Sequence, residues 1–513
     1  MTPTFTPTPT APTDTATPTP TGTLTTIPPT GGDVYEADDQ CEDARAIPAD
    51  GRVQRRTFHQ QGDSDWVRFD ATAGEQYIIE VNIPDSSPAD VAMEMYESCG
   101  GATVQAQDFS FSPAIRLDHT ATASGPVFLK FTNNDPSVAD SGVAYDLTVR
   151  ALSAQAAPGL LIIVAGQIKN NDPVQPNIYH VTDAVRQLFI DKGATDEQIY
   201  YIAPDLSRTG VDASATADNL EAAITQWADQ QAATAQSLTL YLMDHGGQDI
   251  FYLDKLRSEW ITPAELDGWL DELEALRPTL NINVIYEACE SGSFVSGSES
   301  ISKPGRVIIS STDDENLAWA SDDGAIFSDH LLDSLRRGES LYISYQNARI
   351  AAQIAHPNQA AWIDADGDGN GTDDASQTVA AQRGFAFAGT FPDEIWPPFI
   401  AEVQPVTPDE EGRAVLRAQV RDDVDVDRAW AVIYPPTYKA PTASEELVQE
   451  ALPTAILLDQ GNDWYGARFD GFRENGIYRV VFFADDNQDA NARPVSVSVM
   501  VGSNTVFLPL VSR

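Results

Sequence analysis

Three regimes of hydrophobic patterning follow one another along the 513-residue chain. From Asp33 to about Leu152, apolar and polar residues alternate in short runs, as in Trp66-Val-Arg-Phe-Asp70, Val91-Ala-Met-Glu-Met-Tyr96 and Val127-Phe-Leu-Lys-Phe131. Gly, Pro, Asn and Asp separate these runs, which predicts half-buried strands in a compact antiparallel sandwich. From residue 157 to 391 the pattern changes. Leu160-Leu-Ile-Ile-Val-Ala165 is apolar throughout, as in a strand covered on both faces. Val181, Val185, Leu188 and Phe189 then recur on one helical face. Further strands are predicted at 199–202, 238–243, 282–287 and 306–311, and helices at 218–230, 263–276, 327–337 and 341–355. Such alternation predicts a mostly parallel α/β sheet with helices on both faces. From 392 to 502 strict alternation returns, in Ala414–Val420, Arg428–Ile433, Trp464–Phe469 and Ile477–Phe483, and predicts an immunoglobulin-like sandwich. The expected fold class is multidomain: a central α/β sheet flanked by two all-β sandwich domains.

Both ends lie outside this scheme. Residues 1–32 are dominated by Thr and Pro, cannot pack a core, and predict an extended stalk or linker. No signal peptide is visible, yet a stalk implies an export signal or anchor, so an extracellular or cell-surface location is expected. The tail at 503–513 is too short to span a bilayer, and no other run is long and apolar enough. Lys and Arg number 31 against 77 Asp and Glu, a formal charge of −46 that repels phosphate backbones and argues against nucleic-acid partners. Nothing in the sequence reports oligomeric state. Of three cysteines, Cys41 and Cys99 fall in the first folded segment. In an exported chain they would pair, closing a loop worth about 4 kcal/mol, with two free buried thiols as the alternative.

Cys289 stands alone, and its setting is informative. The strand Leu238–Met243 runs into Asp244-His245-Gly246-Gly247, and the strand Ile282–Glu287 runs into Ala288-Cys289-Glu290-Ser291-Gly292. If the two are neighbours in a parallel sheet, both carboxyl ends share the edge where open α/β sheets bind ligands. A cysteine nucleophile attacks as thiolate and needs a base beside it, which the histidine would supply. Glycines next to both residues let backbone approach a substrate and offer N–H groups to an oxyanion. Singly, a cysteine or a histidine is more often a packing residue; the two strand-end motifs together predict thiol chemistry.

These motifs, with Val164-Ala-Gly166 at an earlier strand end, resemble the legumain family, the asparaginyl-endopeptidase branch of the caspase-fold (clan CD) cysteine peptidases, over about Leu160 to Arg349. The resemblance implies a caspase-like fold, Cys289 as nucleophile, His245 as general acid/base, and an oxyanion hole from the amides of Gly246 and Cys289. By the same match Asn177 orients the histidine, and Asp244 corresponds to the residue before it. Tyr179 stands where the family carries a pocket arginine, so a preference for asparagine does not transfer directly. Asp244, Tyr179, Glu290, Ser311 and Asp313 make up the candidate substrate pocket. The acidic loop Thr312-Asp313-Asp314-Glu315-Asn316 reads as a solvated loop in preference to one whose carboxylates select Lys or Arg, and the residue preferred before the cut stays open. Earlier in the chain, Glu36-Ala-Asp-Asp39, Ala44–Ile47 and Gly62-Asp63-Ser64-Asp65-Trp66 resemble the bacterial pre-peptidase C-terminal domains, accessory sandwiches of secreted hydrolases. Asp63 and Asp65 read there as turn caps in preference to calcium ligands.

Asp364-Ala-Asp366-Gly-Asp368-Gly369-Asn370 spaces carboxylates like an EF-hand-type loop, with Asp373 available to close the shell and Ala375 at the twelfth position. A structural calcium is therefore expected, and no cofactor for catalysis. The function expected is a secreted cysteine endopeptidase acting on peptides or proteins. The alternatives are a transpeptidase or transamidase using the same acyl-enzyme, or a non-catalytic surface binding or adhesion protein with a degenerate peptidase core.

Overall fold

A computed structural model of the protein describes residues 32–84, 87–108, 114–152, 159–233, 235–372, 376–385, 396–441 and 452–502. The Thr/Pro tract, Asp373, Ala375 and the tail at 503–513 lie outside the described residues.

The central unit is a six-stranded sheet of β1 (Leu160–Ala165), β2 (Ile199–Ile202), β3 (Ser237–Met243), β4 (Asn281–Glu287), β5 (Arg306–Ser310) and β6 (Trp362–Asp364). Their order is β2-β1-β3-β4-β5-β6; the first five are parallel, and β6 runs antiparallel to β5. The apolar run of β1 divides by parity. Leu161, Ile163 and Ala165 pack with α1 (Gln175–Asp191), α3 (Ile326–Arg336) and α4 (Leu341–Ala355) on one face. Leu160, Ile162 and Val164 pack on the other face against α2 (Pro263–Leu276) and the helix over residues 217–231, whose middle, Ala223–Trp227, is a π-turn. Burial of both faces is why the strand shows no alternation. The start of α2 is fixed locally: Thr262 and Glu265 form a capping box and Pro263 occupies the first turn. Between β3 and α2 lies a small antiparallel sheet, Gly246–Gly247, Ile250–Asp254 and Glu259–Ile261.

Ahead of this unit, two sheets share one core in which Val67, Phe69, Met93, Leu129 and Phe131 meet Ile79, Val81, Tyr145 and Leu147. Cys41 and Cys99 are joined by a disulfide with Cα atoms 5.5 Å apart. After it, seven strands close around another core; among them are β7 (Val426–Tyr434), β8 (Thr454–Asp459) and β9 (Gly476–Asp486).

Arginines fasten both sandwiches to the α/β unit. Arg116 and Arg150 of the first donate to the backbone carbonyls of Arg337 and Gly338, in the corner between α3 and α4. Arg479 of the second donates to the carbonyls of Ile354 and Ala355 at 3.1 and 2.7 Å, satisfying the open C-terminal end of α4. Within the α/β unit, the buried guanidinium of Arg306 gathers Asp267, Asp271 and Glu274 along α2 at 2.7–2.9 Å. Its removal would leave Lys303, which pairs with Asp267 and Asp271, as the cation against three carboxylates and would strand Glu274. Arg306→Ala is expected to destabilise the fold by about 3 kcal/mol, read as a lower urea midpoint at unchanged slope.

Candidate active site

β3 and β4 are paired in register from Ser237↔Asn281 to Met243↔Glu287. The Asp244 N–H still donates to the Glu287 carbonyl at 3.3 Å, and the two chains then leave the sheet. His245 and Cys289 each stand two residues beyond the last pair, on strand ends that are direct neighbours. A Cβ on Gly246 would lie 2.7 Å from the Cys289 carbonyl oxygen and 2.8 Å from Ala288 Cβ, so glycine is what allows the two turns to touch. The turn carrying the thiol is tight: Glu290, half-buried, takes a left-handed φ of 54°, uncommon outside glycine. The loop after β5 braces it. Glu290 N–H donates to the Asn316 carbonyl at 2.9 Å, Gly292 N–H to the Asp313 carbonyl at 3.2 Å, and Ala288 N–H to the Ser311 hydroxyl at 3.2 Å.

His245 is buried, and its Nε2 lies 2.9 Å from Oδ2 of Asp172, in the loop between β1 and α1. Burial would raise the Asp172 carboxyl. The hydrogen bond and charge of His245, helped by the Val174 N–H and Lys169, outweigh it and hold the group below the usual carboxylate range. An ionised carboxylate only accepts hydrogen bonds, so Nε2 is the donor of this contact, and the neutral form of the ring has its lone pair on Nδ1. That is the tautomer a general base requires.

Asn177 does not orient this ring. Its side-chain amide, in the first turn of α1, donates to the carbonyls of Ser321 and Gly324 at 3.1 and 3.0 Å, tying α1 to the loop before α3. The expectation is corrected: the group on His245 is Asp172. Its sequence signal is a carboxylate in Asn171-Asp172-Pro173, shortly past the end of β1 on the same sheet edge.

Cys289 is fully buried, with Sγ 3.9 Å from the Ala318 carbonyl oxygen. Burial pushes its thiol up to about 12, and the carboxyls of Glu287 and Glu290 add to the shift, so the thiol is protonated in this closed form. Glu287, also buried, is raised from the usual 4.5 to about 7, chiefly by desolvation. Its Oε2 accepts from Ser328 Oγ at 2.6 Å.

The candidate pocket residues do not converge on an open pocket. Asp244 is sealed in, its Oδ2 only 2.3 Å from where a Cβ on Gly166 would stand, and burial, then Asp172 and Asp254, push its carboxyl well above the usual range. Asp313 is committed to its own turn, accepting from the Asn316 N–H at 2.7 Å, the Glu315 N–H at 3.0 Å and the Asn316 side-chain amide. Asp314 accepts from Ser296 at 2.8 Å. Oδ1 of Asp313 is thus engaged by its own turn, while among the described residues Oδ2 accepts only from the Asn316 side-chain amide. Tyr179 is half-buried beneath the guanidinium of Arg208, 3.9 Å above the ring. Arg208 brings a cation to this position from a distant loop, which the local motif did not reveal.

Two groups among the described residues have the donor sets of metal sites. Ligand oxygens of Asp364, Asp366 and Asp368 lie within 4.8 Å of one another at the end of β6. Both oxygens of Asp364 accept backbone N–H groups, from Gly367 and Gly369 at 2.8 Å each, and Asn370 Oδ1 accepts from Thr372. Glu36, His59 and Asp63 form the second group, with His59 Nδ1 2.7 Å from both Glu36 Oε1 and Asp63 Oδ2. Asp63 also caps its turn by accepting the His59 N–H at 2.7 Å and the Ser64 N–H at 3.1 Å, while Asp65 accepts from Tyr145 at 2.5 Å.

Residues 226–337, which hold both His245 and Cys289, match the model of the Peptidase C13 family. Among solved structures, caspase-1 from Spodoptera frugiperda is 15% identical with a TM-score of 0.31, over 42% of this chain and 88% of its own. The pre-peptidase C-terminal domain of collagenase from Bacillus anthracis is 15% identical with a TM-score of 0.18, over 21% of this chain and 94% of its own. No curated protein matches the chain.

The raised carboxyl of Glu287 has a consequence for stability. A group whose folded pKa exceeds its unfolded value stabilises the fold below the unfolded value and loses that contribution as pH rises through the folded one. The window here runs from 4.5 to about 7. Glu287→Gln, neutral throughout, is expected to show a smaller fall in melting temperature across this window than the unsubstituted chain.

Proposed function

We propose that the α/β unit is a cysteine endopeptidase in which Cys289 is the nucleophile, His245 the general acid/base and Asp172 the positioning group for His245. The observation that carries this reading is the register of β3 and β4, which leaves an imidazole and a thiol at equivalent positions on adjacent strand ends. The match of residues 226–337 to the Peptidase C13 family supports the same reaction class.

In the proposed reaction, Nδ1 of His245 takes the Cys289 proton as the sulfur attacks the carbonyl carbon of the scissile peptide bond. The carbonyl π electrons move to oxygen, and the amides of Gly246 and Cys289 receive that oxyanion. Its collapse breaks the C–N bond, and His245 returns the proton to the departing amine. Water then adds to the thioester with His245 as base, releasing the carboxylic acid and the thiol. The ion pair is not preformed, because a buried thiol near pKa 12 stays neutral until substrate entry changes its surroundings.

Export belongs to the proposal as well, supported by the Cys41–Cys99 disulfide, since such bonds persist mainly in oxidising compartments. So does calcium at Asp364, Asp366 and Asp368: an all-oxygen donor set suits a hard cation, and the ion would stiffen the turn that follows β6.

Cys289→Ala and His245→Ala are each expected to abolish peptide cleavage in a library screen; Cys289→Ala leaves the melting temperature nearly unchanged, whereas His245→Ala lowers it by stranding the Asp172 carboxylate. Asp172→Asn, which cannot hold the imidazolium in the same way, is expected to lower kcat by about 10²–10⁴ and to shift the acid limb of the pH profile, with KM little changed. Cleavage surviving Cys289→Ala would remove the reading. For calcium, millimolar EDTA is expected to lower the melting temperature, added Ca²⁺ to restore it, and Asp366→Ala to abolish the response.

A further inference from the structure

The outer face of the C-terminal sandwich is unexpectedly apolar where it meets the α/β unit. Along β7 the core positions are Ala429, Ala431 and Ile433, so Trp430, Val432 and Tyr434 point away from the sandwich's own interior. A solvated sheet face carries polar residues at such positions. Phe483 of β9 pairs with Trp430 on one side, its ring stacked at 5.4 Å, and Ile456 of β8 pairs with it on the other.

The α/β unit covers only part of this strip. Tyr434 meets the edge of His356 at 6.2 Å, and His356 lies flat on Trp319 at 4.0 Å. Between Trp319 and the Trp430–Phe483 pair a cavity of about 310 Å³ remains, space for a large side chain. Past the cavity the apolar strip continues into solvent, with Ile456 60% and Leu458 68% exposed. The link to the thiol runs through the chain: the carbonyl 3.9 Å from Cys289 Sγ belongs to Ala318, the residue before Trp319. Trp319 of the lining thus follows directly on the residue whose carbonyl contacts the nucleophile. The cavity's histidines, His330 and His356, are pushed down to about 3 by burial and are uncharged at neutral pH. Arg428, paired with Asp322 at 3.1 Å and with Asp485, clamps the seam between the two units.

We propose that the C-terminal sandwich completes the substrate-binding surface, and that this seam cavity takes one large apolar side chain, aromatic or branched aliphatic, of the protein substrate close to the cut bond. The peptide nature of the ligand rests on the peptidase reading above; the apolar class rests on Trp319, Trp430, Val432 and Phe483, which share the lining with the polar Ser321, Asp322, Asp329, Thr454 and Asn491. An extended chain leaving the thiol would cross Trp319, seat a side chain between the two tryptophans and continue over Ile456.

The test uses the full chain carrying Cys289→Ala, so that nothing is cut, and a series of fluorescein-labelled peptides differing only by Phe, Leu, Ala or Asp at one position. Phe and Leu peptides are expected to bind about tenfold or more tighter than the Ala peptide. Trp430→Ala and Phe483→Ala, both at half-buried outer-face positions, are expected to remove that difference and to leave the Ala peptide within about twofold. No binding of any peptide, equal affinity across the series, or a preference that survives both substitutions overturns the proposal. Cleavage by the chain with Cys289 intact is read separately. Apolar-selective binding without cleavage sinks the peptidase reading and leaves the cavity assignment standing; cleavage without apolar preference does the reverse.

Discussion

The site depends on one constraint, the parallel register between β3 and β4. Because side chains alternate across a strand, a slip of one residue would send every side chain of one strand to the opposite face. Here that is prevented from both sides of the sheet. Leu238, Leu240 and Leu242 belong to one core and Tyr241 and Met243 to the other, so neither face tolerates the exchange. The reactive residues sit two positions past the last pair, and their relative placement is inherited from packing many residues away. Arg306, at the start of β5, secures the next strand through α2 in the same manner.

Burial also sorts the carboxyls around the thiol. Asp244 and Glu287 are fully enclosed, and burial pushes both carboxyls above the usual range, that of Glu287 to about 7. Asp172 is less deeply enclosed and is paired with His245, and stays ionised. In a chain of net charge −46, enclosure thus separates these raised carboxyls from Asp172, whose charge fixes the imidazole, and Glu290, whose charge bears on the thiol.

Elements whose pattern is set by burial on regular structure were legible in the sequence. The unbroken apolar run of β1, the alternation of the outer sandwiches and the Thr262-Pro263 start of α2 each follow from a local rule. What escaped was set by tertiary position. The short antiparallel sheet after His245 has strands of two, five and three residues, too brief to show a period. Asp172 is a loop carboxylate until β1 and β3 are placed side by side, and a motif match drew attention to Asn177 instead. Whether Asp313 faces a ligand or its own backbone is a matter of turn geometry that charge does not encode. Arg208 reaches Tyr179 from across the fold, and nothing local to either residue announces the pairing.

The fastening of the first sandwich carries an implication for how this assembly can diverge. Arg116 and Arg150 grip main-chain oxygens at the α3–α4 corner, and those acceptors exist whatever amino acids occupy it. Drift in the corner's side chains would leave the grip intact, whereas inserting or deleting a single residue would move both oxygens together. Variation among related chains should accordingly appear there as changes of identity and not of length.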